Sequence, residues 1–451
     1  MRSRIKKHFD TGLTLVEGSP PFYLWISILL ALIGLGGYAL LMSFVHSMEI
    51  LEFSVKIPWT TMVSNYVFLV GSSVGLCLVA SLGYVFGLQR YEQICKRALF
   101  LALITIILGL TSINLHLGHP ERAVIFSGLT PNIRSAMWWM GIVYPPYIAF
   151  IAVWFWLLAR ADLAKTASES EGLKARAYRL MALEGLKDYL YQRLPLERLE
   201  ARIYRLLPLE RLGLSLDSEG ADLRWARIVG ALALVSGLAA YTVEGSLFAH
   251  AEARPFWYGA LYPVDFFLGA SFCGLAWLLA AGIITCKVKR EKISDDYMGL
   301  IFEMAQILAL LLSVGLLFVA YKMGHGLFAL TKAKTIMLFL NGPFSLSFWL
   351  LEIGVGIVFP VFILLYAVRQ RSIASVLVGA VMVLVGYFVK RYDFVVATQV
   401  YPVIIKEDIP SYLPTVMEVL LIGGILGVLL LVYTLGDKFL PLREKEPEHA
   451  Q

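Results

Sequence analysis

Ten blocks of apolar residues, each about 20 residues or longer, dominate this sequence. They span residues 22–46, 60–88, 98–116, 136–159, 227–249, 262–286, 297–321, 343–368, 373–389 and 412–436. Helices of this length cross a bilayer and satisfy their own backbone hydrogen bonds in lipid. Only 16% of the 451 residues are charged, against about a quarter in soluble proteins. The pattern predicts an all-α transmembrane protein with ten helices, held within the lipid bilayer.

The distribution of Lys and Arg predicts the orientation of these helices. If the N-terminal segment is cytoplasmic, the segments on its side hold 29 Lys and Arg and the opposite side holds 10. The positive-inside rule then places both termini in the cytoplasm, with the chain as a multi-pass protein of the cell inner membrane. Because cytoplasmic anchoring explains the net charge of +6, we expect no nucleic-acid partner.

Two stretches of the sequence resemble each other and indicate an internal repeat. Residues 66–83 and 265–282 share small residues at an offset of 199, including the pair Gly75 and Gly274. Since the stretches lie in the second and the sixth predicted helices, an offset of four, we predict two parallel four-helix bundles with two extra C-terminal helices. The predicted divisions are a first four-helix unit over 1–160, an insertion over 161–226, a second unit over 227–372, and the two extra helices with a cytoplasmic tail over 373–451.

The 161–226 insertion lies on the predicted cytoplasmic side. It carries a short repeat, "YQRLPLERLE" at 191–200 and "YRLLPLERLG" at 204–213. Leucines interleaved with Arg and Glu favour short amphipathic helices on the lipid headgroups, although a solvated linker is equally compatible. A docking site for a cytoplasmic partner is a third interpretation.

The histidines and cysteines limit the cofactors that this chain can hold. Five of the seven histidines fall at predicted non-cytoplasmic helix ends: His46, His116, His119, His250 and His325. Two haems stacked through the bilayer would need histidines at both depths, so only a single haem near the outer leaflet stays open. His116 and His119 have no third ligand nearby except Glu121, and we predict no metal site. The four cysteines form no C-x-x-C motif, so we expect neither an iron–sulfur cluster nor covalent haem.

Two carboxylates lie inside predicted helices. Glu244 falls in the fifth helix and Glu352 in the eighth, both nearer the outer end. Ionisable side chains within a bilayer are costly, and most of them serve a function. The candidate partners of Glu244 are Tyr241, His250 and Arg254.

Four further charged residues have separate predictions. Asp265 and Glu418 open later helices near the outer face, and we interpret both as interfacial charges. Glu303 and Lys322, together with Glu244 and Glu352, are candidates for parts of a proton path that couples the redox reaction to translocation. Polar groups become sparse towards the cytoplasm, so the pattern indicates at most a half-channel.

The outer end of the predicted bundle therefore gathers histidines, a buried carboxylate, tyrosines and arginines. A proton-coupled redox reaction at the outer leaflet needs such a set, because polar groups must bind the oxygens of an apolar ring and a His or Glu must take its protons. Quinol oxidation fits these needs. A chain without redox cofactors of its own must pass the electrons to a partner.

Two motifs give this interpretation a family. The stretch "LHLGHPERAVIFSGLTPNIRSAMWWMG" (115–141) resembles the signature of the NrfD/PsrC-type quinone-interacting membrane subunits. The stretch "RPFWYGALYPVDFF" (254–267) resembles a second block of that family, and ten helices make the chain similar to its HybB and DsrP branch. The resemblance implies a haem-free protein that binds menaquinone or ubiquinone near the periplasmic side. It also implies electron exchange with a periplasmic, four-cluster iron–sulfur subunit of a respiratory complex.

The placement of the polar residues and the resemblance together suggest site residues. As catalytic groups we predict His116, Glu244 and His119, and as quinone-binding residues Asn114, Tyr66, Tyr241, His250, Arg254, Tyr258 and Asp265. The chain departs from the family pattern at His116, where relatives often carry Asp, and at Tyr241, where they often carry His. The competing interpretations are an ion or solute transporter and an outer-leaflet mono-haem cytochrome b subunit. A further interpretation adds proton translocation, coupled to the redox reaction, to the function of a quinone-reactive subunit.

Overall fold

The computed structural model describes residues 20–45, 57–117, 119, 121–122, 127–182, 221–400 and 412–442. Ten of the helices in these ranges are long and apolar enough to cross a membrane, and the same ranges contain no strand. The predicted all-α membrane fold is thereby confirmed. The helices are α1 (Pro20–Val45), α2 (Thr61–Tyr84), α3 (Glu92–His116), α4 (Ala136–Glu169), α5 (Gly172–Ala182), α6 (Ala221–Ala249), α7 (Tyr262–Lys289), α8 (Asp295–Leu327), α9 (Leu330–Leu340), α10 (Ser347–Gln370), α11 (Ile373–Val395) and α12 (Val416–Phe439).

Local sequence explains where several helices begin and end. Thr415 and Glu418 form a capping box at the start of α12, in which each side chain accepts a hydrogen bond from the other's backbone N–H. The Ser294 hydroxyl accepts from the N–H of Tyr297 at the start of α8. At the end of α7, Arg290 takes a left-handed conformation with φ of 53°, which lets its N–H bond the last carbonyls of the helix.

Eight of the long helices form two rings of four. In the first ring α2, α3, α4 and α6 contact each other in turn, and in the second ring α7, α8, α10 and α11 do so. The rings meet where α7 contacts α2 and α6, and where α11 contacts α2. The remaining pair, α1 and α12, packs together outside the rings, with Gly36 against Gly424.

This grouping differs from the predicted one in the helix at which each four-helix unit begins. The sequence repeat predicted that α1 opens the first unit and that α11 and α12 stand outside both units. In the structure α11 completes the second ring, and the helices outside the rings are the first and the last. The repeat itself fits both groupings, because α2 and α7 are equivalent members of either one.

The two repeat helices cross at the glycines that they share. A Cβ atom on Gly274 would lie 2.2 Å from the carbonyl carbon of Gly75, so only glycines allow this crossing. Just outside the helices, Trp59 and Trp257 stack with their ring centroids 4.9 Å apart. Nearly equivalent residues of the two rings thus contact each other along a pseudo-two-fold axis.

The helix ends define two ends of the bundle. We call the "His116 end" the one at which α3, α6, α8 and α11 end and α2, α4, α7, α10 and α12 begin. There Thr60 lies beside His116, and Ser347 beside Asp393. We call the other the "Arg97 end". At that end α5, which belongs to the 161–226 insertion, lies along α4, where the indole of Trp156 donates to the carbonyl of Met181. The predicted amphipathic repeats at 191–213 lie outside the described residues.

Candidate functional site

A chain of hydrogen-bonded side chains runs through the first ring near the His116 end. The Tyr144 hydroxyl donates to Glu244 Oε2 at 3.2 Å, and the hydroxyls of Tyr144 and Tyr66 are 2.5 Å apart. These side chains come from α4, α6 and α2, and the carboxyl of Glu244 is 0% exposed. Glu244 Oε1 has no hydrogen-bond partner among the described residues. A buried polar atom without a partner indicates a place for a ligand or a water.

A buried arginine lies beside this chain, where the two rings meet. Arg391 Nη2 donates to the hydroxyl of Tyr387 at 2.6 Å and contacts the hydroxyl of Tyr241 at 3.3 Å. The guanidinium carbon lies 4.1 Å from the ring centroid of Phe266, a cation–π contact. Arg391 is 0% exposed, and its positive charge acts on the carboxyl of Glu244. Its Nε and Nη1 atoms have no hydrogen-bond partner in the described part of the chain.

The second ring contains a cluster of buried charges at the same end. Lys390 Nζ lies 2.7 Å from Asp265 Oδ1, and Arg391 Nη1 lies 3.9 Å from Asp265 Oδ2. The Ser347 hydroxyl donates to Asp393 at 2.7 Å, and the Glu352 carboxyl lies beside that of Asp393. Moving such charges out of water costs several kcal/mol per ion, so each needs close partners.

The interpretation of Asp265 and Glu418 as interfacial charges is wrong. They are 1% and 0% exposed, respectively. Asp265 pairs with Lys390, while Glu418 accepts a hydrogen bond from the Tyr412 hydroxyl at 2.7 Å. Both sit at helix starts, as the sequence indicates, but neighbouring helices cover them.

The predicted partners of Glu244 lie elsewhere. His250 is exposed, and its Nδ1 lies 2.7 Å from the carbonyl oxygen of Ser246 on its own helix. Arg254 donates to the carbonyl of Gln399 at 2.8 Å. Of the three predicted partners, only Tyr241 lies close to the buried site, through its contact with Arg391.

The histidines of the 115–141 motif have different surroundings. His116 is 6% exposed, and its Nδ1 is 3.4 Å from the Thr60 hydroxyl. His119 is exposed and lies 2.9 Å from the carboxylate of Glu121. A backbone hydrogen bond and the neighbouring His119 lower the pKa of Glu121 below its ordinary value. Asn114 donates to the carbonyl of Leu110, and Tyr258 is 47% exposed.

Sequence reasoning missed Tyr144, Lys390, Arg391 and Asp393. The last three lie in "KRYD", directly after the predicted ninth span, where the sequence favours a polar loop. A signal is present, because Tyr387, Val389 and Lys390 repeat the spacing of Tyr241, Val243 and Glu244.

The Arg97 end is less inert than the sequence indicates. Asp437 lies 2.8 Å from Lys289 and 3.7 Å from Arg97, which is 3% exposed. Glu303 bonds Arg90 at 2.6 Å at this end, far along α8 from Lys322. The prediction that Glu303 shares a path with Lys322 therefore has no contact to support it. Within the described ranges, no three His, Cys, Asp or Glu side chains are grouped so that they could hold a metal ion.

The fold and the site define a multi-pass helical membrane protein whose buried acid–base groups meet near one end of two helix rings. The chain belongs to the NrfD family, since the family model described as "Polysulphide reductase, NrfD" matches residues 49–403. This confirms the predicted family.

The chain is similar to a subunit of the selenate reductase of Mesobacillus selenatarsenatis, with 23% identity over 406 residues, 87% of this chain and 88% of the relative. It is also similar to the "Hdr-like menaquinol oxidoreductase integral membrane subunit" of Archaeoglobus fulgidus, with 24% identity over 455 residues and 95% of each chain. Members of this family are membrane subunits of reductase or oxidoreductase complexes.

Proposed function

We propose that this chain is the quinone-reactive membrane subunit of a respiratory oxidoreductase complex. It exchanges electrons between menaquinone or ubiquinone in the membrane and a periplasmic iron–sulfur subunit that carries four clusters. The family supports this proposal, as does the relative whose name contains menaquinol oxidoreductase. The His116 end would then face the periplasm, in accord with the distribution of Lys and Arg.

One observation carries the proposal: Glu244 Oε1 is a fully buried carboxylate oxygen without a hydrogen-bond partner among the described residues, and the charge of the buried Arg391 acts on this carboxyl. Glu244 Oε1 can accept a proton, and Arg391 Nη1 can donate a hydrogen bond to a carbonyl oxygen. Phe266 and Phe248 provide apolar surface next to them. A quinone needs an apolar wall, donors for its carbonyl oxygens and a nearby proton acceptor, so these residues fit it.

The residues of the chain have separate roles in this proposal. A quinol releases electrons and protons together when it is oxidised. Glu244 accepts a proton, and the hydroxyls of Tyr144 and Tyr66 extend the hydrogen-bonded path away from it. Arg391 and Tyr241 hold and orient the oxygen-bearing ring. The buried His116 is a second proton acceptor, closer to the end of the bundle.

The exposed candidates form the rim of this end. His119 is the exposed candidate acceptor, and its Nδ1 lies 2.9 Å from the carboxylate of Glu121. Asn114, His250, Arg254 and Tyr258 belong to the rim, and we propose that they face the incoming quinone headgroup or the iron–sulfur partner. Asp265 keeps Lys390 and Arg391 in position from the second ring.

The test is the Glu244→Gln variant within the assembled complex. Because general acid–base catalysis contributes about 100-fold or more, quinol-dependent turnover should fall on the order of 100-fold. The matched control is Glu303→Gln, which removes a carboxylate at the Arg97 end and should leave turnover unchanged. If the Glu244→Gln complex assembles and turns over like the control, the proposed site is refuted.

A further inference from the structure

The pseudo-symmetry relates the site of the first ring to the charged cluster of the second. Tyr66 on α2 and Asp265 on α7 are equivalent positions of the repeat. Glu244 on α6 corresponds to Lys390 on α11, since each follows an equivalent tyrosine by three residues. These two tyrosines, Tyr241 and Tyr387, have their hydroxyls 2.9 Å apart.

Ring contacts extend this equivalence to a second pair. Phe248 follows Tyr241 by seven residues and Phe394 follows Tyr387 by seven, and the two aromatic rings lie 4.8 Å apart between centroids. The segments of α6 and α11 that carry the buried charges therefore meet across the axis. Each helix ring has polar residues on its equivalent helices, but the first has tyrosines and one carboxyl where the second has ion pairs.

The second cluster holds two buried carboxyl groups where α10 contacts α11. Glu352 is 5% exposed and Asp393 is 2% exposed, and the Ser347 hydroxyl, about one π-helical turn before Glu352, donates to Asp393 Oδ1 at 2.7 Å. A hydrogen bond between two carboxyl groups needs a proton on one of them, because an ionised carboxylate has no donor. Asp393 Oδ2 has no hydrogen-bond partner in the described residues, so this oxygen can take a proton or a water.

An unusual backbone brings Glu352 to this position. α10 begins with a π-helix over Ser347–Val358, followed by an α-helix from Phe359. The wider turn brings Gly356 against Gly386 of α11, with a Cβ on Gly386 only 2.0 Å from Gly356 Cα. π-helical turns often occur at functional sites. Here the turn places a carboxyl against α11 in the core of the second ring.

The charges around the pair come from the other three helices of the second ring. Lys322 of α8, Asp265 of α7, and Lys390 and Arg391 of α11 act on the Glu352 carboxyl. These helices thus surround the pair with three cations and one further carboxylate.

Arg391 connects the two sites. Its guanidinium contacts Asp265 of the second cluster, and its charge acts on Glu244 of the first ring and on Glu352 of the second. A change in the charge of Glu244 therefore alters the electrostatic interaction of Arg391 with the carboxyl groups of the second ring, and a change of charge there alters its interaction with Glu244. Linkage requires such an effect to be reciprocal.

We propose that the second ring contains a second proton-binding site, formed by Glu352 and Asp393, and that Arg391 couples its proton to the one on Glu244. The ligand of this site is a proton shared by two carboxyl groups. The proposal does not require a quinone at the first site, so each can fail without the other.

Infrared difference spectroscopy of the purified full chain during a pH titration tests this proposal. Protonated carboxyl groups give a C=O band that carboxylates lack. We expect Glu352→Gln and Asp393→Asn each to abolish the same band, because one proton serves both groups. The control Glu303→Gln, at the Arg97 end, should leave that band intact. A spectrum in which neither cluster variant changes the band would overturn the site.

Coupling has its own measurement in the same titration. Glu244→Gln should shift the midpoint of the shared band, and Glu352→Gln should shift the midpoint of the Glu244 band, each by about one pH unit or more. A shift of one midpoint without the other would overturn the coupling. If Glu352→Gln does not fold, Glu352→Asp retains the carboxyl and should move the band without abolishing it; an unmoved band would again refute the assignment.

Discussion

The ion pair between Lys390 and Asp265 offers a direct test of the buried charge cluster. Both side chains are almost fully buried, and the two charged atoms lie 2.7 Å apart. The Lys390→Met variant retains the length of the stem but leaves Asp265 with two other cations, Arg391 at 3.9 Å and Lys322. An effective dielectric constant of about 20 gives a gross attraction of about 6 kcal/mol at the shorter distance and about 4 kcal/mol at the longer.

The net loss is smaller than the gross attraction, because lysine also regains hydration when it leaves the core. Removing one partner of a buried pair costs about 3–5 kcal/mol, and the remaining arginine favours the lower end. We therefore expect Lys390→Met to lower the free energy of unfolding by about 3 kcal/mol, which is on the order of 100-fold in the folded-to-unfolded ratio. Equilibrium unfolding in mixed detergent micelles, followed by circular dichroism, measures this change.

A double-mutant cycle separates the pair from other effects of the substitution. Asp265→Asn combined with Lys390→Met should lose much less than the sum of the single variants, since both members of the 2.7 Å pair are removed together. The matched control is Lys334→Met, an exposed lysine on α9, which should change the free energy of unfolding by about 0.5 kcal/mol or less. If Lys390→Met equals the control, or if the two single effects simply add, the pair does not stabilise the fold as argued.

Most of the membrane-spanning architecture could be predicted, because lipid allows few structures for apolar blocks of this length. The shared Gly75 and Gly274 likewise indicate a close crossing, which the structure contains. The repeat defines an offset of four helices but not the helix at which a unit starts. The helix at which a unit starts depends on contacts between helices that are distant in sequence, such as α7 and α11. A local sequence pattern does not predict such contacts.

The site was harder to predict for a related reason. Glu244 is recognisable from the sequence as a buried carboxylate, because it lies within an apolar span rather than at its end. "KRYD" at 390–393 looks like a polar loop, and the predicted span ends at residue 389. The structure continues α11 to Val395, because Asp265 and Glu352 come from other helices and neutralise these cations. Local hydropathy treats Lys390 and Arg391 as exposed, because it does not include their carboxylate partners. Asp265 lies 125 residues before Lys390 in the sequence, and Glu352 lies on α10.

Two further predictions follow from the contacts of single side chains. Tyr144→Phe removes the hydroxyl that donates to the buried carboxyl of Glu244 and should lower quinol-dependent turnover about tenfold or more. The control Tyr147→Phe, one turn along the same helix, should leave turnover within about twofold. Equal turnover in both variants would exclude the tyrosine path. Gly75→Ala would bring a Cβ within 1.8 Å of the Ala270 carbonyl oxygen, so α2 and α7 must separate, at a cost of about 3 kcal/mol or more in the free energy of unfolding. The control Gly37→Ala has no atom within 4 Å of the new Cβ and should stabilise its helix by about 0.5–1 kcal/mol. Because the two substitutions add the same methyl group to a membrane helix, opposite signs in detergent unfolding isolate the crossing as the cause, and two stabilising results would mean that the helices do not meet at these glycines.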